Sequence, residues 1–287
     1  MKQGEILKMK IKGLVIALLT VILLTNVAFA RDGKFAHNPE LTVFSNKLHG
    51  NLNLNNNNDF GLQTDFQGDK ISGFGNKTSA GFGWLFNIGK LSDIYAHYEQ
   101  LKSSGRLNVK ASGKTTVTLN GKTFGVAGSG KAVIDADIKI DCFDILGARE
   151  LTKGENGYLD FVYGFKIMKA TLDAVDANNA ANSASYSLTL PLPNFGVRGF
   201  HKINDNWGFY GQFSGFSLNR SGKSGTLRDL DLGFEFAFKG MLSKEYTKKI
   251  EWFARIGYKD QYLKGKDNNN ELVMEYKGPV LKVVGRF

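Results

Sequence analysis

An all-β chain, closed into an antiparallel up-and-down transmembrane barrel of about ten strands, is the fold class this sequence predicts. Three observations carry the prediction. Stretches of about ten residues alternate apolar and polar side chains, the period of a strand with two unlike faces and the length that crosses a bilayer at a tilt. The connections alternate between short turns and long polar stretches. The three tryptophans gather beside the short turns.

Residues 1–30 stand apart. MKQGEILKMKIK is basic, GLVIALLTVILL is an apolar run, and TNVAFA ends on the small-x-small pattern of Ala28, Phe29 and Ala30, which together predict a secretory signal peptide cut after Ala30. Met9 is a second sensible start. The apolar run of about a dozen residues falls short of the roughly twenty that span a bilayer as a helix, and no later segment approaches that length. Residues 31–40 then form a periplasmic lead and 41–287 the barrel. Losing residues 1–30 removes four lysines and one glutamate, so the formal charge falls from +10 to +7. That excess is spread along an exported chain without a basic cluster interleaved with aromatics, which excludes nucleic acid as a partner. Cys142, the single cysteine, forms no internal disulfide. On the parity assigned to its strand it faces lipid as a small hydrophobe.

The candidate strands in chain order are 48–54, 78–88, 94–98, 132–142, 159–167, 195–200, 207–213, 230–240, 250–259 and 281–287. In 78–88, Ala80, Phe82, Trp84, Phe86 and Ile88 oppose Ser79, Gly81, Gly83 and Asn87. In 159–167, Leu159, Phe161, Tyr163, Phe165 and Ile167 oppose Asp160, Gly164 and Lys166. Leu230, Leu232, Phe234, Phe236 and Phe238 oppose Asp231, Glu235 and Lys239, and Ile250, Trp252, Ala254, Ile256 and Tyr258 oppose Glu251, Arg255 and Lys259.

Alternation alone also fits a soluble sandwich, because an antiparallel sheet with one wet face gives the same pattern. The connections decide. Residues 87–93, 152–157, 203–206 and 242–249 are short links, whereas 55–76, 103–130, 176–184, 219–225 and 264–271 are polar and predict external loops. Trp84, Trp207 and Trp252 all lie near short links, as an aromatic girdle at the periplasmic interface requires. The apolar face therefore meets lipid and the polar face a lumen. Parity slips at LPLPNFG and near Gly278 and Pro279 predict bulges, the first around Pro191 and Pro193. TTVTLNGKTFGV, turning at Asn120 and Gly121, predicts a hairpin that projects outward over about residues 104–130.

The motifs that carry chemistry are few. GVAGSGKA (125–132) lacks a Ser or Thr after its lysine and feeds a strand, so it is not a phosphate loop. Asp135, Asp137, Lys139 and Asp141 share one face of their strand. Such spacing suits calcium. Inside a narrow barrel, however, it predicts a compensated lumen network with Lys166, Arg198, Arg255, Lys259, Lys282 and Arg286, joined by Asp160, Glu235 and Glu251. No metal and no cofactor follow from this pattern. His97 and Glu99 lie inward on the third strand, and His97 is the one histidine placed for acid–base work.

The terminal GPVLKVVGRF sets Leu281, Val283 and Phe287 on one parity against Lys282 and Arg286. Here the sequence resembles Gram-negative outer-membrane β-barrel proteins, whose final strand commonly ends in an aromatic read by the barrel-assembly machinery. The resemblance covers residues 40–287. With NDFGLQTDF, LNGKTF, LPLPNFG and GPVL, it is similar to a small subfamily of about ten strands. It implies the outer membrane as location, membrane lipid and the assembly machinery as partners, and Phe287 as the assembly signal. It transfers no activity. Omptin proteases of similar dimensions carry an Asp-x-His pair and lipid A deacylases a His-x-Ser or His-x-Thr, and neither occurs here. The expected function is a non-enzymatic barrel, a narrow pore or a structural protein. Binding of an extracellular partner through the hairpin and loops is the alternative, and an enzyme built on His97 the third reading.

Overall fold

Ten alternating segments, with no helix among the described residues long and apolar enough to cross a membrane, leave one way to satisfy every backbone amide in hydrocarbon, which is a sheet closed on itself. The computed structural model describes residues 37–53, 69–71, 77–89, 92–110, 116–119, 122–125, 131–220, 223–238, 251–267 and 270–286. The expected signal peptide and Phe287 lie outside the described residues. The strands are β1 (His37–Asn53), β2 (Asp69–Ile71), β3 (Lys77–Gly89), β4 (Ser92–Lys110), β5 (Thr116–Leu119), β6 (Lys122–Gly125), β7 (Lys131–Gly154), β8 (Gly157–Asp176), β9 (Asn179–Lys202), β10 (Trp207–Arg220), β11 (Lys223–Ala237), β12 (Glu251–Asp267) and β13 (Asn270–Arg286).

Ten of them make the wall. β1, β3, β4 and β7 to β13 pair in chain order, all antiparallel, and β13 returns to β1 along a ladder from Glu40↔Val284 to Asn53↔Glu271. β2 adds three pairs beside β1, and β5 and β6 form a separate small sheet. The expected count of ten wall strands is what closes. β1 begins at His37, so the barrel starts within the segment expected to be a periplasmic lead.

Four wall strands, β4, β7, β8 and β9, are much longer than a membrane needs, whereas β3 and β10 have 13 and 14 residues. β7 and β9 have 24 residues each. At about 3.3 Å per residue and a tilt of about 40°, such a strand rises roughly 60 Å, twice the ~30 Å of hydrocarbon. The outer parts of these long strands therefore stand in water beyond the lipid, and their side chains reverse their roles. Near the termini, outward Leu41, Phe82, Phe143, Phe161, Phe209, Phe234 and Ile256 are exposed as a lipid belt. Farther out, outward positions carry Lys102, Asp135, Asp137, Lys139 and Lys169, while inward Leu101, Ile134, Ile138, Ile140 and Leu263 are buried together. The outer half has the faces of a water-soluble barrel.

That reversal corrects several expectations. Asp135, Asp137, Lys139 and Asp141 face outward, and Cys142, with no exposed surface, faces the interior beside Ile140. No bulge occurs at Pro191 and Pro193, which pair in unbroken register with Ile167 and Phe165, nor at Gly278 and Pro279, which pair with Lys259 and Tyr258. The apolar residues change sides there because the solvent changes while the strand keeps its parity. The expected loops 176–184, 219–225 and 264–271 are mostly strand tips, with Asp176↔Asn179, Arg220↔Lys223 and Asp267↔Asn270 as their outermost pairs. The β5–β6 hairpin does not stand free. Phe124 is fully buried in the apolar interior of the outer half.

The reversal has a measurable consequence. Ile140→Asp puts an unpaired carboxylate among apolar side chains and should cost more than about 3 kcal/mol, read as a lowered urea midpoint in lipid vesicles. Asp137→Asn, on the wet outer face, should shift the same midpoint by less than about 0.5 kcal/mol.

Candidate functional site

The inward residues of the membrane-level half form one charged network. Its strands bring acids and bases together because polar residues on a period of two line a single interior. Glu40 of β1 accepts hydrogen bonds from Thr42 Oγ1 at 3.1 Å and Tyr95 Oη at 3.2 Å, and pairs with Lys282 at 3.2 Å and Arg255 at 3.5 Å. Lys282 also holds Asp231 at 2.6 Å. Arg255 and Arg286 both clamp Glu235, at 2.8 Å and 2.7 Å. Arg198 joins Asp160, at 2.9 Å, to Asp93 across the barrel.

A second knot lies deeper. Lys166 bridges Asp144 at 3.0 Å and Asp229 at 3.2 Å, and Lys259 pairs with Glu99, which also accepts from Gln261 at 3.2 Å. His97 sits 3.7 Å from Asp144 through Nδ1 and stacks on Tyr95 with ring centroids 5.7 Å apart. Gly81 and Gly83 of β3 make that stack possible. A Cβ at either would stand 3.0 Å from His97 Nε2 or from Tyr95 Oη. Charges withdrawn from water need such compensation, since desolvation outweighs attraction unless every member is paired.

The network opens toward the end of the barrel that holds the termini, as a cavity of about 310 Å3 lined by Glu40, Asp93, Tyr95, Tyr158, Arg198, Tyr210, Arg255 and Arg286 among others. Tyr210 lies under two cations, with Arg255 4.9 Å and Lys282 5.8 Å from its ring centre. Above the deeper knot the interior turns apolar. Leu101, Ile140, Leu227, Leu263, Met274 and Tyr276 fill the section, and the space left among them is about 10 Å3, room for one water at most.

Of the residues singled out in the sequence, His97, Glu99, Asp160, Lys166, Arg198, Glu235, Arg255, Lys259, Lys282 and Arg286 meet inside the barrel. Glu251, inward and half-buried at the rim, pairs across the ladder with Arg286. Asp135 instead binds Arg106 at 2.7 Å on the outer surface, and Asp141 takes Lys139 at 3.3 Å and Tyr98 Oη at 2.8 Å there. The acids that compensate the inward cations include Glu40, Asp93, Asp144 and Asp229, which sequence reasoning missed. Asp144 was legible, since it alternates with Phe143 and Ile145. Trp84, Trp207 and Trp252 all sit on outward positions near the terminal end, and Trp207 packs on Phe236 with centroids 4.9 Å apart. Among the described residues no group of three or more His, Cys, Asp or Glu side chains is placed to hold a metal.

Lys166 is the sharpest test of the network. Lys166→Met strands Asp144 and Asp229 beside each other and should cost about 3–5 kcal/mol in urea unfolding. A second change, Asp229→Asn, should recover part of that loss, because one of the two uncompensated charges goes with it.

No protein-family model matches the chain, and no curated sequence matches it. Solved structures do. The outer-membrane protease OmpT from Escherichia coli superposes with a TM-score of 0.50 at 10% identity, covering 91% of this chain and 100% of that one. Ail, the attachment invasion locus protein of Yersinia pestis, gives 0.35 at 7% identity over 86% and 98% of the two chains. The Pseudomonas putida toluene transporter TodX gives 0.30 at 12% over 90% of each. Identities this low speak to fold alone, and only the first score is high enough to bear on it. Closed at ten antiparallel strands and belted with outward aromatic and aliphatic side chains, the chain has the fold of the Gram-negative outer-membrane β-barrels and lies in that membrane.

Proposed function

We propose that the protein is a non-conducting outer-membrane barrel, a structural element whose working surface is the half that stands beyond the lipid. The observation that carries this reading is the filled section at Leu101, Ile140, Leu227, Leu263, Met274 and Tyr276, directly above the ion-paired knot. Water reaches the charged cavity from the end of the barrel where β1 begins and, among the described residues, meets the filled apolar section beyond the knot. A hydrated ion would have to displace both buried ion pairs and close-packed apolar side chains, each with a large desolvation or packing cost.

The same observations favour a non-catalytic role. His97 is 4% exposed, sealed between Tyr95 and the acids of the deeper knot, so no substrate reaches it. The outer half, by contrast, presents charged strand faces and a folded hairpin to the medium. The ladders of β7 with β8 and β8 with β9 carry it, from the membrane level out to Ile134↔Asp176 and Asp176↔Asn179.

Conductance separates this reading from a pore. The mature chain, refolded in detergent and shown folded by a heat-dependent gel shift, should give no current steps in a planar lipid bilayer. Discrete, reproducible steps from the same preparation would replace the structural reading with a channel.

A further inference from the structure

The interior of the outer half contains a row of small residues, in the same buried cluster as a phenyl ring that the β5–β6 hairpin supplies. Gly105 pairs with Ala136, Ala136 with Ala174 and Ala174 with Ala184, so four successive wall strands meet in register with nothing larger than a methyl group pointing inward. Neighbouring inward rows carry full-sized residues, Ile138 and Leu172 below and Ile134 above. The wall is thus hollowed along one row.

Phe124 belongs to the same buried cluster as Ala136, Ala174 and Ala184 and has no exposed surface, whereas Lys122, Thr123 and Gly125 around it are exposed. The hairpin that delivers it is weakly held. Among the described residues β5 and β6 pair only with each other, β6 lies beside β9, and Gly125 N donates to Asp176 Oδ2 of β8 at 3.2 Å. A lone two-stranded hairpin is marginal in water, so the seating of one phenyl ring decides its position. One further atom has no partner. Ser103, on the inward row just below Gly105, is 3% exposed, and its Oγ makes no hydrogen bond. A buried hydroxyl left unmatched in apolar surroundings favours any ligand that brings it a partner.

We propose that this recess is a binding site for a small apolar ring bearing one hydrogen-bonding group, of the phenol class, and that the β5–β6 hairpin is its lid, with Phe124 occupying the site in the unliganded chain. The ring replaces the phenyl group of Phe124, and its hydroxyl meets Ser103 Oγ. Binding and lid displacement are then one equilibrium, and apparent affinity is reduced by the fraction of chains whose lid is seated. The proposal stands whether or not the barrel conducts.

The test uses the mature chain in lipid nanodiscs, with 4-fluorophenol and fluorobenzene followed by 19F NMR against empty nanodiscs. Phe124→Ala should bind 4-fluorophenol at least about tenfold more tightly than the wild type, because the resident competitor is gone. Adding Ala174→Phe, or Ala184→Leu should that variant fail to fold, should return binding to the level of empty nanodiscs. Fluorobenzene should bind Phe124→Ala more weakly than 4-fluorophenol, and Ser103→Ala should erase that difference. Equal binding by wild type and Phe124→Ala, or binding that survives a recess-filling change in a folded variant, overturns the site. Equal affinity for the two ligands overturns the role of Ser103.

Discussion

A sheet edge cannot stand in hydrocarbon, because each unpaired amide or carbonyl there has no water to bond. The rest of this structure follows from the ladder that removes the edge. β13 pairs with β1 from Glu40↔Val284 outward, and the start of β1 and the end of β13 are thereby brought to one rim. Closure turns two faces into an outside and an inside, and at ten strands the inside is narrow enough for side chains to reach across it. Arg198 can then hold an acid from β4 and another from β8 at once, and Lys259 of β12 can reach Glu99 of β4.

Closure does not say which face is greasy. That is set by the medium at each height, and this barrel meets two. In lipid, apolar side chains point out and the interior holds compensated charge. In water, charge points out and the interior becomes an apolar core. The exchange takes only a few residues along a strand: on β4, Tyr98 points out and Glu99 in, then Lys102 points out and Leu101 in. Filling the upper interior with apolar atoms stabilises the long strands where no lipid supports them, by about 25 cal/mol per Å2 buried. The same filling closes the passage.

How much of this was legible follows from the same logic. Period-two alternation located the wall strands. In the belt, parity also gave direction correctly, so Asp160, Lys166, Glu235, Arg255 and Lys282 were assigned inward as found. The rule that polar means inward failed at Asp135, Asp137, Lys139 and Asp141, and with them at Cys142, because those positions lie above the lipid. The apparent slip at LPLPNFG was the signature of that boundary, with Leu190 and Leu192 inward and Phe195 and Val197 outward on an unbroken strand. A slip at corresponding heights in several strands marks a change of solvent, whereas a bulge is local to one. The hairpin's turn was legible from Asn120 and Gly121. The burial of Phe124 was not, since the apolar cluster that surrounds it is assembled from strands distant in sequence.

The claim on which the account rests is that the outward face changes solvent partway along the long strands β4, β7, β8 and β12. Nitroxide labels placed singly at outward positions 143, 161, 209, 234 and 256, and at 102, 137, 169 and 264, measure it directly in lipid vesicles. The first set should collide with oxygen and be shielded from a water-soluble nickel chelate. The second set should show the opposite. Lipid-phase collisions at 102, 137 and 169 would contradict the two-solvent barrel and return the apolar interior of the outer half to question.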